Sequence, residues 1–127
     1  MSADVRLTEF VARGHAGFDH YAGLETFPNP GVSRLEMTSD ELAAVCPVTG
    51  QTDLHVASIE YSPKARCLES KSLKLYLNGF RDDGHFCEAL AVKIRGDVAE
   101  ALGLAADEVQ VTLRQNARGG ITITATS

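Results

Sequence analysis

A chain of 127 residues with 44% hydrophobic residues is long enough for one domain with a real core, though short for an enzyme. Its formal net charge of -5 argues against a protein that coats nucleic acid, because phosphate binding needs a basic face, but leaves room for a local basic pocket. Its apolar runs are short and broken by charge, far below the ~18 residues of a membrane span.

Residues 1–26 read as a lead-in and 27–127 as one domain. Met1 to Phe10 carries Asp4, Arg6 and Glu9 and lacks the basic start and apolar core of a secretion signal. Phe27-Pro28-Asn29-Pro30-Gly31 is a breaker cluster, since proline fixes the backbone and glycine relaxes it. Val32 to Leu42 alternates imperfectly and predicts a strand. Cys46-Pro47-Val48-Thr49-Gly50-Gln51-Thr52-Asp53 is a turn-rich loop, and Leu54 to Tyr61 predicts a second strand pairing antiparallel with the first.

A short helix is predicted over Ser70 to Asn78, ended by Gly79, with Leu73, Leu77 and Phe80 at helical spacing. A second runs from about Phe86 to Leu102, with Leu90, Ile94, Val98 and Leu102 as its apolar stripe and Gly103 as its stop. Val109 to Arg114 and Ile121 to Ala125 alternate apolar and polar residues around Arg118-Gly119-Gly120, which predicts a hairpin. The order is strand, strand, helix, helix, strand, strand.

The chemistry concentrates in few places. Cys46 is a nucleophile candidate in an irregular loop, where catalytic groups are often carried; a lone cysteine is more often a small buried hydrophobe. Cys67 and Cys87 read as structural. Three cysteines without an export signal fit a reducing, cytoplasmic setting, and the absence of a CxxC pair argues against structural zinc. Asp53 is a proton donor or a loop-end cap. Lys71 and Lys74 share a helix face, as phosphate ligands or as a solvated surface. Arg118 adds a third cation beside glycines that let a ligand approach. Glu88 complements a helix N-terminus, or accepts two N–H groups from a guanine-like edge. No GxGxxG fingerprint is present, so a dinucleotide would bind outside a Rossmann fold.

Cys46-Pro47, Thr49-Gly50-Gln51 and Asp53, then Glu69-Ser70-Lys71-Ser72-Leu73-Lys74-Leu75-Tyr76, then Phe86 and Glu88, then Arg118-Gly119-Gly120, resemble the NADPH-dependent 7-cyano-7-deazaguanine reductases, the QueF-type nitrile reductases of queuosine biosynthesis. The match runs from about Phe27 to Ile123. The resemblance implies the α+β tunnelling fold: an antiparallel four-stranded sheet with two helices on one face, closed into a barrel between subunits, here as a homo-oligomer of stacked rings. It implies Cys46 as the nucleophile forming a thioimide, Asp53 as the proton donor and NADPH as cofactor on Lys71, Lys74 and Arg118. Glu88, with Glu69 and Ser70, would hold the deazapurine. Where the family usually has Phe-His-Glu, this chain has Phe86-Cys87-Glu88. The alternatives are a tunnelling-fold protein that binds a deazapurine or pterin without reducing it, and an amidinotransferase relative.

Overall fold

A computed structural model describes residues 23–127; residues 1–22 of the expected lead-in lie outside the described residues. The main sheet is antiparallel and has the order β2-β3-β5-β6. Its strands are β2 (Leu35–Val45), β3 (Thr52–Tyr61), β5 (Val109–Arg118) and β6 (Ile121–Thr126). Two helices, α1 (Ser70–Asn78) and α2 (Cys87–Leu102), lie between β3 and β5 in sequence. A second, two-stranded sheet pairs β1 (Thr26–Pro28) with β4 (Arg66–Leu68). Three-residue strands with a proline in one of them carry no alternation to read, so these two were not expected.

The core lies between the main sheet and the helices. Ala57, Ile59 and Tyr61 of β3 and Val109, Val111 and Leu113 of β5 are buried, as alternation dictates. They meet the α2 stripe of Leu90, Ile94, Val98 and Leu102, with Leu73 and Leu77 from α1 and Phe80 beyond it. Both helices therefore cover one face of the sheet. Gly103 ends α2 in the left-handed conformation, φ 70°, which glycine adopts without a side-chain penalty. Gly79 ends α1 while staying right-handed, φ -65°. The amide of buried Leu68 donates to the Tyr61 hydroxyl at 2.8 Å, fixing the small sheet to the large one.

Two irregularities in the main sheet decide where its side chains point. Ser39 opposes Ala57 and Leu42 opposes His55, so β2 advances three residues while β3 advances two. Gln115 opposes Ile123 and Arg118 opposes Ile121, so β5 gains a residue on β6 in the same way. Each extra residue is a β-bulge, and a bulge reverses the face of every later side chain on its strand. The first explains the imperfect alternation of Val32 to Leu42. Among the described residues no helix is long and apolar enough to cross a membrane.

Candidate active site

The bulge in β2 brings Leu42 and Ala44 onto the buried face. Ala44 stands directly opposite Asp53. Cys46, two residues further on, falls on that same face. The strand-to-strand turn is closed by the Cys46 amide donating to Gln51 O at 2.8 Å and the Gly50 amide donating to Cys46 O at 2.9 Å. Gly50 takes φ 74°, a value that requires glycine here.

Cys46 is partly exposed. The Thr49 hydroxyl, followed by the Thr49 and Val48 amides, pulls its thiol below the usual range, against burial and the nearby Asp53 charge. Hydrogen bonds to sulfur favour the thiolate, the form that attacks an electrophile. Burial pushes the thiols of Cys67 and Cys87 upward instead, and both side chains are buried, which suits structural roles.

Asp53 is 6% exposed. The bulge in β5 turns Arg118 onto the same face, where its Nε lies 3.5 Å from Asp53 Oδ1. The Arg118 guanidinium also donates to Thr52 O. A bulge beside a reactive group commonly re-aims one side chain in this way. The start of α2 is tied to the same corner. The Val45 amide donates to Asp83 O at 2.9 Å and the His85 amide donates to Val45 O at 3.1 Å. Glu88 follows in the first turn of α2, exposed, next to an exposed Phe86. One end of the sheet thus gathers Cys46, Asp53, Arg118 and the helix end bearing Glu88.

The remaining expected site residues form a second group on α1. Glu69 caps that helix, its carboxylate accepting from the amides of Ser72 at 2.7 Å and Lys71 at 3.0 Å. Ser72, which sequence reading passed over, is buried; its hydroxyl donates to Glu69 O and accepts from the Glu25 amide, both at 2.9 Å. Ser70 and Lys74 line a cavity of about 480 Å³ between α1 and β2, faced by Asp40 and Glu41 of the bulge. That size suits a small-molecule site. One wall carries an ammonium and a hydroxyl and the other two carboxylates. Cys46 stands five positions beyond Glu41, about 16 Å along an extended chain, so the two groups lie apart within the chain.

His55 is a third feature that sequence reading left aside. It is 1% exposed, on the same face of β3 as Asp53, and both ring nitrogens lack a hydrogen-bond partner among the described residues. The signal was legible: Asp53, His55, Ala57, Ile59 and Tyr61 alternate along one strand, which places a histidine on an apolar face.

Residues 53–127 match the family model described as QueF-like protein. The chain is 47% identical over 105 residues to the NADPH-dependent 7-cyano-7-deazaguanine reductase of Frankia casuarinae, covering 82% of each chain. It is 45% identical to that of an Anaeromyxobacter species over 77% of this chain and 81% of that one. The figure for Halorhodospira halophila is 43%, over 77% and 84%. Among solved structures, the archaeosine synthase QueF-Like in its apo form superposes with a TM-score of 0.64 at 24% identity, over 78% of this chain and 93% of that one, which is a likeness of fold. The bulged sheet, the cysteine turn and these matches together make the chain a member of the QueF-like protein family.

Proposed function

We propose that this protein is an NADPH-dependent 7-cyano-7-deazaguanine reductase, a cytoplasmic enzyme of queuosine biosynthesis that reduces a nitrile to an aminomethyl group. The observation that carries this reading is the shared face of Cys46 and Asp53, a hydrogen-bonded thiol and a buried carboxyl one strand apart, in a chain whose relatives bear that name.

The chain's own residues account for the first step. The Cys46 thiolate attacks the nitrile carbon, a C–S bond forms, and the carbon–nitrogen triple bond becomes double. The nitrogen takes a proton from Asp53, giving a thioimide. Covalent capture converts a poor electrophile into a reducible one. Glu88 holds the guanine-like edge, since a carboxylate accepts two N–H groups at once, while Glu69 shapes the α1 side through its cap. Lys71 and Lys74 would hold the phosphates of NADPH, with Ser70 beside them and Arg118 as a third cation. NADPH supplies hydride, and one nitrile, two NADPH and two protons balance to one amine and two NADP⁺.

The same reading takes the sheet as a tunnelling-fold unit. β2 and β6 are the edges of the four-stranded sheet, and exposed edges invite pairing with another chain. Closing them between subunits into a barrel of stacked rings would let the α1 group of one subunit complete the cysteine site of another. Light scattering should find a large homo-oligomer; a fully active monomer contradicts the shared site.

Purified protein, NADPH and 7-cyano-7-deazaguanine test the activity directly. The reductase reading predicts NADPH oxidation dependent on the nitrile. Binding of the deazapurine with no NADPH oxidation would instead support the non-reducing tunnelling-fold reading.

A further inference from the structure

His55 breaks the pattern of its strand. Ala57, Ile59 and Tyr61 fill the same face further along β3, with Leu42 packed as the cross-strand partner of His55 on β2. An apolar residue would suit this position, and an imidazole with two unpaired nitrogens carries a desolvation cost that native structures rarely leave uncompensated. Burial also keeps the ring in its neutral form, in which one nitrogen is an N–H donor. Asp53 lies two residues away on the same face, about 6.6 Å along the strand, within reach of a carboxyl and an imidazole turned toward each other.

Asp53 has a loose partner on its outer side. Arg118 is half-exposed and its Nε contact is 3.5 Å, longer than a good charged hydrogen bond. The other titratable groups that act on this corner are Cys46 at the end of β2 and Cys87 from α2, both coupled to the Asp53 charge. Gln115, opposite His55 on β5, is uncharged; its side chain and the Leu42 backbone favour the charged ring, though neither meets hydrogen-bond geometry with it.

We propose that His55 is the positioning residue for Asp53: in the substrate-loaded site its imidazole N–H donates to one carboxyl oxygen and holds the other toward the nitrile nitrogen. This rests on the reductase reading. Once Asp53 has given up its proton, the same N–H stabilises the carboxylate left behind. The protons balance: the nitrile nitrogen gains the one from Asp53, and Cys46 gives the one from its thiol to solvent water.

The test follows thioimide formation by intact mass, without NADPH, in wild type, His55→Leu and His55→Gln. Leu fills the apolar face and has no donor; Gln keeps an N–H donor. Adduct formation about tenfold slower in His55→Leu, recovered in His55→Gln, supports the proposal, with thermal melting confirming that His55→Leu is folded. An unchanged rate in folded His55→Leu, or equal losses in both variants, overturns it. If wild type forms no adduct, the reductase reading falls. The imidazole then decides alone: with 7-cyano-7-deazaguanine bound, its ¹⁵N–H signal should move in Asp53→Asn, and an unmoved signal overturns the contact.

Discussion

The Nε of Arg118 lies 3.5 Å from Oδ1 of Asp53, although the two residues come from different strands and a regular β5 would point Arg118 to the opposite face. The extra residue between Gln115 and Arg118 makes the contact possible. The extra residue between Ser39 and Leu42 does the same for Cys46. The chemistry of this corner therefore depends on two register shifts as much as on the identities of the reactive groups.

Deleting Asp40 should remove the first bulge and restore regular alternation, so that Ser39, Leu42, Ala44 and Cys46 stay on one face. Cys46 then keeps the face of Asp53. The expected outcome is a folded protein by circular dichroism that still forms the thioimide. A folded deletion variant that forms no adduct would show that facing Asp53 is not enough to make Cys46 reactive.

The cations divide into two groups, and so should their variants. Lys71→Ala and Lys74→Ala should raise the NADPH KM about tenfold or more, since a charged hydrogen bond contributes roughly 1.5–3 kcal/mol, and leave NADPH-free adduct formation unchanged. Arg118→Ala should disturb both, because Arg118 stands against Asp53. Adduct kinetics and NADPH titration of the three variants check this; slower adduct formation in Lys74→Ala would contradict the division.

The Cys46 thiol should react with iodoacetamide at lower pH than the other cysteines. Its pKa lies below the ordinary 9.0 and those of Cys67 and Cys87 lie above it. Thr49→Val removes the largest cause and should move the alkylation profile of Cys46 to higher pH. Peptide mapping across a pH series measures this; profiles that coincide for all three cysteines would refute the assigned environment.

Much of the architecture was legible in the sequence. The α2 stripe Leu90, Ile94, Val98 and Leu102 and the alternation of Val109, Val111 and Leu113 follow from periods that burial enforces. The bulges were not legible, because an extra residue leaves only a flaw in alternation that an exposed polar pair such as Asp40-Glu41 also produces. The candidate residues stood out by type and motif. That Arg118 meets Asp53 and that Ser72 is buried depend on tertiary placement, whereas the Glu69 cap of α1 is local and was missed because glutamate is not among the favoured capping residues.

His55 should make the protein acid-sensitive. Burial holds its folded-state pKa below the ordinary 6.5. Below 6.5 the unfolded chain takes up a proton that the folded chain resists, so stability is full above 6.5 and falls as pH drops toward the folded-state value. Melting temperatures from pH 7 to 5 should decline less in His55→Leu than in wild type. Parallel declines would show that another group governs the loss.

The central claim is that Cys46 captures the nitrile on the face it shares with Asp53. Intact-mass spectrometry of the wild-type protein with 7-cyano-7-deazaguanine and no NADPH tests it most directly. The account predicts one added substrate mass, mapped to Cys46 and absent in Cys46→Ala. No adduct on the wild type, or an adduct that persists in Cys46→Ala, would contradict it.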